Sequence, residues 1–241
     1  MKTKLHRFAG ATALCLAMGL LAGCCSRSIS NSGYHSSRYN QSGLYQGELS
    51  EFDVLGIQRD QPITDQQIAS ALDSAQRVRL RKGGTVLLVQ SGAMIPDEPL
   101  LAELTKSFSV TPFSGVPAKT TGGSYDKALR LAAAKGGCES IVCYWGVLET
   151  AQATAAGKVV SWVPIVGGIF PDKSQHMRIR LKIVLVDVRS GNWSLFMPAP
   201  FEDHTISAKY DREWSDQSQV QKLKLRAYTA AAADILKIYT L

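Results

Sequence analysis

"HMRIRLKIVLVDVRSGNW", running from His176 to Trp193, decides the fold of this chain. Ile179, Leu181, Ile183 and Leu185 recur at every second position, and Arg178, Arg180 and Lys182 alternate with the first three of them. A period of two sends successive side chains to opposite faces of an extended strand, so the stretch is predicted to be a β-strand with one apolar face and one that begins cationic. Ser190-Gly191-Asn192 supplies a turn, and "WSLFMPAPF" (193–201) is expected to return beside the strand as the second arm of a hairpin.

Upstream of the hairpin the pattern changes. "GGTVLLVQSG" (83–92) sets Val86, Leu87, Leu88 and Val89 between glycines, the pattern of a strand buried on both faces. "SVTPFSGVP" (109–117) reads as a second strand breaking into a turn, and "SIVCYWGVLET" (140–150), rich in β-branched and aromatic residues, as a third. Helical segments alternate with them. Thr64 and Gln67 stand at capping-box spacing ahead of Ile68, Ala71, Leu72 and Ala75 on one face. Asp97 and Pro99 open a helix whose Leu100, Leu101, Leu104 and Phe108 share a face. Ser124 caps another, with Tyr125, Ala128, Leu129 and Ala132 inward and Gly136-Gly137 as its stop. A last helix, about 218–239, aligns Val220, Leu223, Ala227, Ala231, Ile235 and Ile238. This order predicts an α/β fold: a single domain over 51–241 with a mixed sheet, parallel at its centre, plus an antiparallel hairpin, packed by helices.

Ahead of the domain, Lys2, Lys4 and Arg7 precede an uncharged stretch from Phe8 to Gly23. It falls short of the roughly 20 residues a spanning helix needs and reads as a cleaved targeting peptide. Leu21-Ala22-Gly23-Cys24 resembles the bacterial lipobox at all four positions, which implies cleavage before Cys24, acylation of Cys24 and a mature chain of 218 of the 241 residues. Several acyl chains, at ~0.8 kcal/mol per buried CH₂, hold far more firmly than one. Cys25 and Ser26 follow in place of an aspartate, which by likeness to Gram-negative lipoproteins implies onward export to the outer membrane, facing the periplasm. Cys25 is palmitoylated, paired or idle; the sequence leaves the three open. From Ser26 to Ser50 the chain is Ser, Asn, Tyr, Gly and Gln with few aliphatics, and is expected to be a flexible tether. The expected layout is 1–23 signal peptide, 24–50 lipidated N-terminus and tether, and 51–241 domain.

The net charge of +7 falls to +4 once the three basic leader residues are lost. That mild excess favours anionic surfaces only weakly. Nucleic acid is not an expected partner for an exported chain, and no cofactor or metal is implied. Cys138 and Cys143 lie five positions apart, the second in a strand, which holds their Cα atoms beyond the ~7 Å reach of a disulfide; two buried thiols are expected.

The strings "VLLVQSG", "PFSGVP", "ALRLAAAKGG", "IVCYWGVLET", "LVDVRSGNW" and "LKLRAYTAAAADILKIY" resemble, in order, an uncharacterised group of enterobacterial lipoproteins, some of whose members carry an aminopeptidase label. The resemblance spans about 64–239. More distantly, the element order is similar to that of TolB N-terminal and CsgG-like periplasmic domains, a likeness of architecture with little functional weight.

The aminopeptidase label finds little support in the residues. Of the four histidines only His35, His176 and His204 lie beyond the leader, and no H-E-x-x-H occurs. Ser114 has Pro112 and Val116 where a nucleophile elbow needs glycines, and reads as a turn residue. Glu202, Asp203 and His204 read as a solvated turn, and Cys143, conceivable as a thiol nucleophile with His204, reads as core. The catalytic residues, if any, are unknown. Interaction has better candidates. The uncharged run Val159–Pro171 holds Trp162, Ile165, Ile169 and Phe170, and either tucks against the sheet or forms an exposed apolar lobe. Arg178, Arg180 and Lys182 begin just beyond it, as a solvated face or as part of the same docking site; "RVRLRK" (77–82) has the same ambiguity and reads as a strand start. The expectation is a membrane-anchored lipoprotein that binds an envelope protein, self-associates or assists assembly, with a hydrolase as the alternative.

Overall fold

The computed structural model describes residues 27–31, 45–57, 62–117, 124–153, 160–164, 174–206 and 212–240. The strands are β1 (Arg27–Ser28), β2 (Thr85–Ser91), β3 (Ser109–Gly115), β4 (Ser140–Ala153), β5 (Val160–Pro164), β6 (Ser174–Asp187), β7 (Trp193–Phe196) and β8 (Phe201–Ile206). The helices are α1 (Glu51–Leu55), α2 (Asp65–Ser74), α3 (Glu98–Thr105), α4 (Tyr125–Lys135) and α5 (Arg212–Tyr239). The result is the mixed α/β domain that the alternating patterns predict.

One sheet carries the order β3-β2-β4-β6-β7, with β1 and β5 also on β4 and β8 also on β6. β2 runs parallel to β3 and β4, and every other pairing is antiparallel. The parallel strands thus form one half of the sheet and the antiparallel strands the other. The seam between the halves is the β4–β6 pair, in register from Ser140↔Asp187 to Thr150↔Met177. Pro112, which lacks a donor N–H, sits in β3 at the free edge, where the ladder tolerates it.

Crossovers place the helices. β3 and β4 lie on opposite sides of β2, so right-handed connections put α3 and α4 on opposite faces. Leu100 and Leu104 of α3 accordingly pack with Val220, Leu223, Ala227 and Ile235 of α5 over Ile179, Leu181, Ile183 and Leu185 of β6. Leu129 and Ala133 of α4 pack with Val54 of α1 over Val89, Cys143, Val184 and Val186. Alternation in β6 therefore feeds two cores, one per face.

Three expectations need correction, and one helix that forms as expected lies outside both cores. Part of the expected tether is folded: β1 pairs with β4, the 3-10 turn Ile29–Asn31 follows it, and Ile29 is 2% exposed. The aliphatic side chain at position 29 and the register with β4 outweigh the polar composition around them. The capping box at α2 forms as predicted, yet none of its residues is buried, so its apolar face packs on no core. "RVRLRK" forms no strand; Val78 and Leu80 are buried, exposed Arg79 between them donates to the Ile238 carbonyl, Arg81 pairs with Glu139, and Leu80 N–H donates to the Tyr239 carbonyl. The Glu202–His204 segment is strand β8, paired with β6 beyond the break at Pro198 and Pro200, where two missing donors interrupt the edge that β7 begins.

Candidate functional site

Open α/β sheets hold ligands beyond the carboxyl ends of strands whose connections leave to opposite faces, which here are β2 and β3. That gap is closed by backbone. Gly92 N–H donates to the Gly115 carbonyl and Gly115 N–H to Ala93, and a Cβ at position 115 would lie 1.9 Å from the Gln90 carbonyl oxygen.

Beside the gap, on the face covered by α3 and α5, polar groups converge beyond the end of β2. Lys224 Nζ donates to Asp97 Oδ2 at 2.8 Å and to the Ile29 carbonyl at 3.1 Å. Tyr228 OH donates to the same carboxylate, and Tyr144 OH donates to Gln90 Oε1. Gln90 Nε2 donates to Ser30 Oγ at 3.0 Å, and Ser30 in turn donates to the Ser91 carbonyl. The two phenol rings meet edge to face at 5.9 Å. Burial, then the Asp97 charge, pushes the Tyr144 phenol well above its ordinary pKa; burial, then Tyr144 and Asp97, does the same for Tyr228. Both therefore serve as neutral donors. The chain's own N-terminal segment completes the cluster: Ile29 presents its carbonyl to Lys224 and its side chain to Gly146, where an added Cβ would stand 2.6 Å from Ile29 Cδ1. A buried ammonium held by a carboxylate and a carbonyl is satisfied, and its chemistry here is to clamp that segment.

Of these groups the sequence marks only Asp97, as a helix start, and none as part of a site. Asp97 opens α3 as predicted but makes no side-chain cap, because its carboxylate turns to Lys224 and Tyr228. The one readable signal was Lys224, a charge set four residues from both Val220 and Tyr228 within the apolar stripe of the last helix.

The predicted cationic stripe is brought together on one face of β6, and acids meet it. Glu149, only 3% exposed, accepts from Arg180 Nε at 3.0 Å and Nη2 at 2.5 Å and from Arg178 Nε at 2.5 Å. Burial acts to raise the Glu149 pKa, but the hydrogen bonds and charges of the two arginines prevail and hold it below the usual carboxylate range. Lys182 pairs with Glu51 of α1. The stripe is thus no bare cationic face, although Arg180 keeps 41% of its side chain in water. Trp162 stands in β5 opposite Ala151 of β4, while Ile165, Ile169 and Phe170 lie outside the described residues.

The residues weighed for catalysis do not converge. Cys143 is fully buried, opposite Val184, and burial raises its thiol far above the ordinary value, the reverse of what a nucleophile needs. His204 stands opposite His176, eight residues from Val184 along β6 or about 26 Å. Within β8, alternation separates Asp203 from Glu202. Ser114 Oγ accepts a local bond from Val116 N–H at 3.3 Å. Cys138 and Cys143 are buried free thiols, as their spacing predicts. Among the described residues no cluster of three His, Cys, Asp or Glu is placed to hold a metal, and no helix is long and apolar enough to cross a membrane.

Among solved structures, the chain is similar to a candidate neuraminyllactose-binding hemagglutinin homologue from Helicobacter pylori, at 13% identity and a TM-score of 0.29 over 73% of this chain and 90% of that one. A minor lipoprotein from Acinetobacter baumannii matches at 11% identity and 0.30 over 65% and 90%. A hypothetical protein from Chlamydia trachomatis matches at 10% and 0.28 over 62% and 98%. These superpositions are loose. The chain has no match among curated proteins. A family profile matches residues 50–238, most of the chain, and by it this lipid-anchored envelope protein belongs to the YafT bacterial lipoprotein family.

Proposed function

We propose that this protein is an outer-membrane lipoprotein, acylated on Cys24 and facing the periplasm, that acts by binding another envelope protein rather than by catalysis. The observation that carries the reading is α2. It is a capped, amphipathic helix of ten residues, yet Ile68 and Leu72 on its apolar face are 51% and 72% exposed, and Ile63 just before it is exposed too. A helix this short is marginal in water on its own. Ile68 and Leu72, one turn apart, are the anchor spacing of a helix laid into an apolar groove of a partner protein. The buried, high-pKa thiol of Cys143 and its distance from His204 speak against a thiol hydrolase.

The test is a photoreactive residue at Leu72 in the full-length protein in intact cells, with Ser190 as control. The expected result is one discrete heterologous adduct at Leu72, absent at Ser190 and lost with Ile68→Asp. An adduct of twice the chain mass replaces the reading with self-association, and no adduct at Leu72 overturns it. Fractionation of wild type against Cys24→Ala tests the anchor: loss of the variant from the outer membrane is expected.

A further inference from the structure

The amino ends of the parallel strands gather three helix ends and two turns into one surface. Gly83 N–H donates to the Ser107 carbonyl just past α3, and Thr85 Oγ1 to the Gly137 carbonyl just past α4. Val188 N–H donates to Glu139, and Leu80 N–H to Tyr239 at the end of α5. An exposed cation stands one or two positions from each of these bonds: Lys82, Lys106, Lys135, Arg189 and Lys237. The three lysines at helix ends have a local reason to be there, since the carbonyl end of a helix favours positive charge. Lys82 and Arg189 lie in turns and have none.

Little negative charge answers them. Glu139 is taken by Arg81 and Glu103 by Lys106, Asp187 accepts from the Ser190 N–H and hydroxyl, and Asp234 lies about a turn back on α5. Among the described residues, Lys82, Lys135, Arg189 and Lys237 pair with no carboxylate. Farther along the sheet, by contrast, Arg178, Arg180, Lys182 and Lys224 each hold one. A mild positive balance over the whole chain thus leaves one end of the domain plainly cationic.

We infer that this end of the domain binds a linear polyanion, a polymer carrying repeated carboxylates or phosphates. From Lys106 beside β3 to Arg189 just past β6 the cations span three strand spacings, about 14 Å. That is wider than one small anion covers and suits several charges in a row. The surface among the cations is Gly83, Gly136, Gly137 and Ser190, with exposed Ile238 at its margin. Such turns give an acidic protein few side chains to bury as anchors, yet leave the cations open to a flexible chain. A bilayer fits less well: β1, where the N-terminal segment joins the sheet, pairs with Leu148, eight residues along β4 from Ser140, or about 26 Å from this end. The inference is independent of the reading of α2.

The experiment uses the full-length protein in neutral phosphatidylcholine nanodiscs, titrated with fluorescein-labelled polyglutamate or polyphosphate and read by anisotropy. One variant combines Lys82→Glu, Lys135→Glu and Arg189→Glu. Its control combines Lys127→Glu, Lys222→Glu and Arg226→Glu, exposed cations elsewhere on the domain, so the two carry the same net charge. Lys82→Gln, Lys135→Gln and Arg189→Gln together serve if the first variant does not fold. Wild type is expected to bind at low ionic strength and to release the polymer near 1 M salt, where charges are screened within about 3 Å. The first variant should bind about tenfold more weakly or worse, and the control within about threefold of wild type. The tighter of the two polymers then names the anion. Failure of wild type to bind either polymer, or equal losses in the two variants, overturns the inference. So does binding to phosphatidylglycerol vesicles, lost in the first variant, with none to the polymers, which would make the partner a bilayer.

Discussion

At the scale of single residues, the N-terminal segment depends on an absent side chain. Gly146 leaves room in β4 for Ile29 and Leu181, whose carbons would lie 2.6 and 2.9 Å from any Cβ built there. Gly146→Ala is expected to lower unfolding free energy by about 1–3 kcal/mol in urea melts, with part recovered when Ile29 is shortened to Val. Glu149 makes a pH-dependent contribution. Its folded pKa is held down by Arg180 and Arg178 against the effect of burial, so its stabilisation is fully present above the unfolded carboxylate value and lost as pH falls through the lower folded one. Urea melts in a pH series should show wild type losing stability below about pH 4.3, with a flatter profile for Glu149→Gln. At neutral pH that variant should sit near the low end of the roughly 3–5 kcal/mol for a broken buried pair, since Arg180 is partly in water. Cys143 should resist thiol reagents until the domain unfolds, because burial keeps it protonated.

At the scale of elements, two helices with similar sequence patterns have opposite fates. α2 and α5 both carry apolar residues at helical spacing, yet α2 buries nothing and α5 covers one face of the sheet. Leu72→Ser should therefore change stability by less than about 0.5 kcal/mol, whereas Leu223→Ala should cost about 2–5 kcal/mol. Equal losses in denaturant melts would show that α2 packs on the domain and would remove it as a docking surface. Periodicity announced both helices, but it reports which residues share a face and not what that face meets. The same limit explains β8. "FEDHT" has too few apolar residues to read as a strand alone, and it becomes one because β6 offers it a free edge from Ser174 to Ile179.

At the scale of the whole molecule, the domain begins before residue 51. Ile29 is as buried as the central core, and Arg27–Asn31 joins β4, β2 and α5 through pairing and side-chain bonds. A soluble domain starting at Tyr45 should unfold at lower urea than one starting at Ser26, by about 2–4 kcal/mol, the scale of losing one fully buried aliphatic side chain. Equal midpoints would show that the segment adds nothing to the fold.

By itself the sequence determined the alternating strands of the two-faced sheet, the helices between them and the capping box of α2, because each is written in neighbours a few positions apart; Ser124 and Asp97, which the sequence also offers as caps, make no side-chain cap. Local spacing carries local geometry. Only the tertiary structure decided that Lys224 clamps Ile29, that Glu149 answers Arg178 and Arg180, and that α2 stays bare. Those outcomes join residues 195 and about 30 positions apart, or leave one helix face exposed, and no local pattern encodes which distant groups the sheet brings into reach.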